Sequence, residues 1–167
     1  MSRKTLYIVR HGKSTWDYSN ILDMDRPLKE KGIENSYEMA DRLKILNVKP
    51  GMILSSPATR AIHTAIIFSR KLNYPVDKIK LVEKIYEAGL HTILKIINNF
   101  DDQYDSLMIF GHNPIFTDLA NHFTKNYIEN IPTTGIVTLK FESPSWKAIK
   151  KENVIFENFD FPKKNVE

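Results

Sequence analysis

The feature that most constrains this chain is the alternation of short apolar runs with longer amphipathic stretches. Apolar runs at 6–9, 52–54, 78–82 and 106–110 are each followed by a stretch in which apolar residues recur at helical spacing. A further run at 136–141 alternates in hydrophobicity, and 154–156 is also strand-like. Repetition of strand and helix predicts an α/β fold, a three-layer sandwich in which helices flank a mostly parallel central sheet.

The helical stretches also predict which side of each helix faces the core. For the first helix the predicted inward residues are Ile33, Tyr37, Ala40, Leu43 and Leu46. Ser56-Pro57 predicts the N-cap and first turn of the second helix. A third helix is predicted around 90–97, and Asn113-Pro114 predicts the start of the fourth.

The composition limits the class of protein. Of the 167 residues, 42% are hydrophobic and 26% are charged, which excludes a disordered chain. No linker rich in Gly, Ser or Pro interrupts the sequence, so residues 1–167 are predicted to form a single domain. The absence of cysteine excludes disulfides, thiolate catalysis and cysteine zinc sites. Because the first apolar run is too short for a signal peptide or a membrane span, we expect a cytoplasmic protein without membrane association.

A formal net charge of +4 gives the chain a mild basic bias. The densest basic groups are Lys147, Lys150 and Lys151, and then Lys163 and Lys164. Neither group has the interleaved aromatic residues of a nucleic-acid surface, so we expect no nucleic-acid partner. A weakly positive field suits an anionic small molecule or a phosphoprotein, because it raises the rate of encounter.

Polar residues follow each of the first four predicted strands at the point where the strand ends. In chain order they are Arg10 and His11, Arg60, Glu87 and His112. In open α/β sheets, ligands bind just beyond the carboxyl ends of the strands. The sequence therefore predicts that two arginines, two histidines and one glutamate meet in a single crevice.

These residue types together suit the transfer of a phosphoryl group. Guanidinium groups such as those of Arg10 and Arg60 bind phosphate through paired hydrogen bonds and stay charged at any working pH. A neutral imidazole at His11 is a good nucleophile toward phosphorus when an acceptor holds its other ring nitrogen. His112 is placed to stabilise charge on the transferring oxygens. Glu87 is a candidate acid for the leaving group if burial keeps it protonated, and a solvated surface role for it stays equally open.

Metal chemistry is not predicted. The remaining histidines, His63, His91 and His122, lie in or at the start of helical stretches with no partner at metal-ligand spacing. The sequence also contains no glycine-rich phosphate loop. We expect surface or packing roles for these three histidines, and neither a metal ion nor a cofactor.

Three motifs, in this order along the chain, resemble the signatures of the histidine phosphatase superfamily. They are Arg10-His11-Gly12, Ser56-Pro57-Ala58-Thr59-Arg60-Ala61 and Gly111-His112-Asn113-Pro114. More narrowly, Asp25-Arg26-Pro27-Leu28 followed by Gly32 resembles the SixA-type phosphohistidine phosphatases.

The resemblance implies a phosphoglycerate mutase-like fold and a phosphatase that works in two steps without a metal or cofactor. His11 would take the phosphoryl group and pass it to water. Throughout the reaction, the phosphate would be clamped by Arg10, Arg60 and His112. The implied substrate is phosphohistidine in a protein such as a histidine phosphotransfer domain.

Two departures from the wider family bear on the substrate. Phosphoglycerate mutase-like members carry a phosphate-contacting asparagine six residues after the nucleophile, whereas this chain has Asp17, whose charge would repel phosphate. Only the 51 residues 61–111 separate Arg60 from His112, so we expect an open pocket that admits a phosphate presented by a protein surface. Two alternatives stay open: a general small-molecule phosphomonoesterase, and a phosphate- or phosphoprotein-binding module without turnover.

Overall fold

A six-stranded mixed sheet forms the centre of the protein. The structure is a computed structural model that describes residues 2–163; Met1 and residues 164–167, Lys164 among them, lie outside the described residues. The strands are β1 (Arg3–Arg10), β2 (Met52–Ser55), β3 (Lys80–Leu81), β4 (Ser106–Gly111), β5 (Ile136–Glu142) and β6 (Val154–Asp160). Their order across the sheet is β3-β2-β4-β1-β5-β6. The four strands β1 to β4 are parallel, whereas β5 and β6 are joined by antiparallel pairing.

Helices lie on both faces of this sheet. They are α1 (Glu30–Ile45), α2 (Thr59–Lys71), α3 (Lys84–Glu87), α4 (Leu90–Asn98) and α5 (Ile115–Phe123). Residues of α4 and α5 pack with Leu6 and Ile8 of β1, and residues of α1 and α2 pack with Tyr7 and Val9 on the opposite face. The predicted α/β architecture and the burial of β1 on both faces are therefore confirmed. No helix within residues 2–163 is long and apolar enough to cross a membrane.

The face that helix α1 presents to the core matches the predicted one only in part, since Ala40 and Leu43 are buried as predicted. Tyr37 and Leu46, both predicted to point inward, are 37% and 70% exposed. The buried residues are Gly32, Ser36, Met39, Ala40 and Leu43. Gly32 faces inward because α1 lies against the turn after β1, where a Cβ at this position would clash with the carbonyl oxygen of Lys13. This close approach brings α1 against the loop that carries His11.

Helix α2 begins at Thr59, later than the start predicted from Ser56-Pro57. The Ser56 amide donates to the carbonyl of Phe110 at 3.0 Å, so the chain still extends the sheet at this residue. The Ser56 hydroxyl accepts a hydrogen bond from the Ala58 amide at 3.1 Å, which leads the chain into the helix. Arg60 lies in the first turn of α2, as predicted.

The third strand is much shorter than predicted. β3 spans Lys80–Leu81 rather than 78–82, and both of its residues are exposed at the edge of the sheet. The residues before it form a turn instead, in which the amides of Lys78 and Ile79 each donate to the carbonyl three residues earlier in the chain. Glu87 accordingly lies at the end of the short helix α3 rather than in a loop.

Candidate active site

The carboxyl ends of β1, β2 and β4 lie side by side and bring predicted site residues to one edge of the sheet. Arg10 is in register with Gly111, and the amide of His11 donates to the Gly111 carbonyl at 3.0 Å. His112 is the next residue, and the ring centroids of His11 and His112 are 5.1 Å apart. After burial, the charge of Arg60 is among the causes that lower the pKa of both histidines.

His11 is 7% exposed, and a hydrogen bond orients its ring. Its Nδ1 lies 2.7 Å from the carbonyl oxygen of Gly12, which can only accept, so Nδ1 carries the proton. The lone pair of the neutral ring is then on Nε2. Burial first, and then the neighbouring positive charges, lower the pKa of His11 to about 3, so the ring is neutral at pH 7. A neutral ring with an unprotonated Nε2 is the form that a nucleophile requires.

The turn after His11 is tied to helix α2. The Gly12 amide donates to the hydroxyl of Thr64 at 2.9 Å. That hydroxyl donates in turn to the main-chain carbonyl of Arg60 at 2.8 Å. Thr64 is fully buried, so water does not compete for these bonds. The two bonds set the backbone beside His11 relative to the helical turn that carries Arg60.

His112 is held between a hydroxyl and an aromatic ring. Its Nε2 lies 2.8 Å from Ser56 Oγ, and the Tyr86 ring meets it edge-on with centroids 5.6 Å apart. Burial first, and then the charge of Arg60, lower the pKa of His112 to about 4. Its Nδ1 is buried and, within residues 2–163, has no hydrogen-bond partner.

Both arginines are anchored through their terminal nitrogens. Arg60 is 5% exposed; its Nη1 donates to the main-chain oxygen of Asp23 at 2.7 Å and its Nη2 to the Asp23 carboxylate at 3.0 Å. Arg10 donates from Nη1 to the carbonyl of Ile131 at 2.9 Å. In each arginine the Nε is buried and finds no partner in the part of the chain that the structure describes.

Buried polar atoms without partners are concentrated at this site. Within the described chain they are Arg10 Nε, Arg60 Nε, His112 Nδ1 and Thr134 Oγ1. The first three belong to residues that the sequence predicts to clamp a phosphate. Leaving a buried polar group unpaired costs about 1–3 kcal/mol, and more when the group is charged. The oxygens of a bound anion would supply the missing acceptors, so the arrangement suits an oxyanion.

Asp23 is a candidate that sequence reasoning missed. Besides binding Arg60, its carboxylate accepts hydrogen bonds from the Tyr86 hydroxyl at 2.6 Å and from Arg26 Nε at 3.0 Å. These bonds, that of Tyr86 foremost, hold the pKa of Asp23 well below its usual range, so the carboxylate is ionised. Asp23 lies just before the Asp25-Arg26-Pro27-Leu28 motif, which indicates that this segment is near the site. The sequence does not indicate whether Asp23 or Asp25 faces the site.

Glu87 does not share the environment of the other predicted residues. It is exposed, and it makes no hydrogen bond or ion pair with the described residues. Burial, the condition for its role as an acid, is therefore not met. His63 is half-buried, His91 is exposed, and His122 packs edge-on against Phe123 with centroids 4.8 Å apart. Within residues 2–163, no group of three or more His, Cys, Asp or Glu residues is placed to hold a metal ion.

The lowered pKa values of His11 and His112 predict how stability depends on pH. Between about pH 4 and 6.5 the unfolded chain binds protons at both residues and the folded protein does not, so the free energy of unfolding rises with pH. Each histidine contributes a slope of about 1.4 kcal/mol per pH unit in this window. Urea unfolding at several pH values measures the slope, and the double variant His11→Asn/His112→Asn should lose this contribution.

Saturating phosphate or tungstate should reduce the slope of the unfolding free energy against pH, because a bound anion beside the rings offsets the cost of protonating them. The matched control is His91→Asn, since His91 is exposed. A double variant with the wild-type slope would contradict the assignment of this pH dependence to the two buried rings.

Comparison with known proteins gives the same family at the level of sequence and of fold. The model of the histidine phosphatase superfamily (branch 1) matches residues 6–90. An uncharacterised chloroplastic protein of Arabidopsis thaliana is 39% identical over 152 residues, which are 86% of this chain and 69% of that protein. A crystal structure assigned to the phosphohistidine phosphatase SixA of Agrobacterium tumefaciens has a TM-score of 0.72 at 28% identity, over 81% of this chain and 90% of that one.

A second solved structure, of the protein histidine phosphatase SixA in complex with tungstate, has a TM-score of 0.74 at 21% identity, over 94% of each chain. The matched segment 6–90 contains Arg10, His11 and Arg60. The match of the family model to half of the chain, together with the fold, shows that this chain belongs to the histidine phosphatase superfamily.

Proposed function

We propose that this chain is a phosphohistidine phosphatase that moves a phosphoryl group from phosphohistidine in a protein to His11 and then to water. The observation that carries the proposal is the set of buried, unpaired nitrogens on Arg10, Arg60 and His112 beside a neutral His11. Membership of the superfamily and likeness to SixA structures support phosphatase chemistry. Tungstate, which one SixA structure contains, is a tetrahedral oxyanion that mimics the transferring group.

In the first step, Nε2 of His11 attacks the phosphorus and the phosphorus–nitrogen bond of the substrate breaks. The electron pair goes to the leaving imidazole, which departs as a neutral ring when its other nitrogen already carries a proton. Arg10 and Arg60 stabilise the charge on the transferring oxygens. With the Ser56 hydroxyl donating to Nε2 of His112, Nδ1 of that ring keeps its proton and donates a hydrogen bond to one of these oxygens.

In the second step, water attacks the phosphorus of the phosphorylated His11. The new phosphorus–nitrogen bond breaks, its electron pair returns to Nε2, and inorganic phosphate leaves with the oxygen of the water. One proton of the water stays on that oxygen and the other goes to solvent. The hydrogen bond from Nδ1 to the Gly12 carbonyl returns the ring to its starting tautomer. We propose that neither step needs a metal ion, because the arginines supply the positive charge.

The surface beside the site supports a protein substrate. Trp16, Tyr18 and Leu22 are 76%, 59% and 72% exposed. The Arg26 guanidinium lies 3.5 Å from the centre of the Trp16 ring, and Arg26 donates to Asp23 at the phosphate site. A phosphoryl group carried by a protein would bring a surface against these side chains, and aromatic residues are favoured in such interfaces. We propose a phosphorylated cytoplasmic protein, such as a histidine phosphotransfer domain, as the partner.

The proposal is tested by comparing a phosphorylated histidine phosphotransfer domain with a sugar phosphate as substrates. The wild type should have the higher kcat/KM on the phosphoprotein. Glu87→Gln should leave that value unchanged, because Glu87 is exposed and an imidazole leaving group needs no acid from the enzyme. The exposed neighbour Glu83 provides the matched control, Glu83→Gln.

Other outcomes would favour the alternatives. Preference for the sugar phosphate, together with a loss of about 10²-fold or more in Glu87→Gln, would indicate a general phosphomonoesterase with a working acid. Binding of phosphate without turnover of either substrate, or of an activated aryl phosphate, would indicate a binding module.

A further inference from the structure

We propose that Thr134 belongs to the phosphate site and that its hydroxyl donates a hydrogen bond to the bound phosphoryl group. Thr134 lies just before β5 and is fully buried. Its Oγ1 has no hydrogen-bond partner within residues 2–163, like the unpaired nitrogens of the proposed clamp. The inference depends on the proposed function only in taking the bound anion to be a phosphoryl group.

The main chain places Thr134 against the first two residues of the site. Its amide donates to the carbonyls of Arg10 and His11, at 3.1 and 3.0 Å. The Arg10 amide donates to the carbonyl of Gly135 at 3.1 Å, and Arg10 Nη1 donates to that of Ile131 at 2.9 Å. The loop that contains Thr134 therefore holds both the backbone and the guanidinium of Arg10.

The backbone conformation of Thr134 is unfavourable for its residue type. Its φ is 62°, in the left-handed region, where a β-branched residue is a genuine outlier. Within residues 2–163, the other non-glycine residues with positive φ are Asn47 and Asn73, and asparagine tolerates this region. Glycine or asparagine would fit position 134 with less strain, so the threonine side chain has a use that offsets the strain. Such strain is concentrated at functional sites.

The Thr134 hydroxyl is an uncharged donor beside the two charged guanidinium groups of the site. The other unpaired atoms belong to two guanidinium groups and an imidazole, and positive charge nearby lowers the pKa of His11. A hydroxyl adds a hydrogen bond to the anion without adding charge. In the free protein the hydroxyl is buried without a partner, and an incoming phosphoryl oxygen provides one.

Thr134→Val tests the proposal, because valine keeps the β-branched shape and removes only the hydroxyl. Calorimetry should show that tungstate affinity falls on the order of ten-fold or more, with a similar loss in kcat/KM. Without an anion, the midpoint of urea unfolding should stay unchanged or rise, because the lost hydroxyl had no partner. A hydroxyl with a structural role would give the opposite result, since its loss would lower the unfolding midpoint as well.

Two further variants complete the test. Thr134→Ser keeps the hydroxyl and should restore tungstate affinity to near the wild-type value. Thr138→Val, at a buried threonine further along β5, should leave tungstate affinity unchanged. Wild-type tungstate affinity in Thr134→Val, a lowered unfolding midpoint in it, or weak binding by Thr134→Ser would each overturn the proposal. These measurements test the role of Thr134 through tungstate binding, so they are valid even if the wild type does not hydrolyse phosphohistidine. Absence of that hydrolysis would contradict the proposed function but not the role of Thr134.

Discussion

Replacing His11 with asparagine is expected to abolish the phosphoenzyme and to lower turnover of a phosphohistidine protein on the order of 10⁴-fold or more. The reason is that Nε2 of His11 forms the covalent bond to phosphorus, and asparagine has no equivalent nucleophile. A loss of this size corresponds to about 5 kcal/mol of transition-state stabilisation. The asparagine amide still donates hydrogen bonds, so a bond to the Gly12 carbonyl can be kept and the loss can be separated from misfolding.

The measurement is trapping with a labelled phosphodonor, followed by treatment of the protein with acid and with alkali. The wild-type label should be lost in acid and retained in alkali, as expected of phosphohistidine. His91→Asn is the control, because His91 is an exposed histidine that the proposed mechanism does not use, and it should retain the label. Label that persists in His11→Asn would remove His11 from its role as the nucleophile.

The second large effect is expected at Arg60. Arg60→Ala removes a positive charge from the transferring oxygens, which alone should lower kcat/KM on the order of 10²–10³-fold. It also removes one of the two guanidinium groups that bind the ionised carboxylate of Asp23, so that only Arg26 is left to offset its charge. Because a less neutralised carboxylate repels an anionic substrate more strongly, adding Asp23→Asn to Arg60→Ala should recover part of the lost activity.

Arg60→Ala should also raise the pKa of His112. The charge of Arg60 lowers the pKa of His112 and that of Asp23 raises it, so removal of Arg60 should move the titration of His112 to higher pH. The ring proton resonances of His112 would report this by NMR. Arg70→Ala, an exposed arginine in the last turn of α2, is the control and should keep the wild-type rate. Wild-type kcat/KM in Arg60→Ala would contradict the proposed clamp.

The central strands could be predicted from the sequence because a strand that is buried on both faces is visible as a short run of apolar residues. β2 and β4 are short and almost continuously apolar, β1 contains the apolar run at 6–9, and a helix follows each strand. Parallel strands place their carboxyl ends at one edge, which is why Arg10, His11 and His112 could be expected to meet. Edge strands carry a weaker pattern: β3 is exposed and only two residues long, and its extent could not be predicted from its neighbours.

The positions of the remaining site residues could not be predicted, because they depend on features other than the pattern of apolar residues. Thr134 meets the end of β1 because β5 runs antiparallel to β1, with Val9 opposite Ile136, so the beginning of one strand lies beside the end of the other. Strand order and direction were not available from the sequence. Asp23 and Tyr86 come together through loops and a short helix, where side-chain hydrogen bonds decide the conformation. The exposure of Glu87 likewise follows from the short β3 and the helix after it.

The position of β1 within the sheet has a consequence for synthesis of the chain. β1 is made first, yet it lies between β4 and β5, whose residues begin at Ser106 and Ile136. While a ribosome is still translating the middle of the protein, this apolar strand has neither of its neighbours. Unpaired strand edges favour aggregation, so we expect the nascent chain to be prone to aggregation until β4 and β5 emerge and pair with β1.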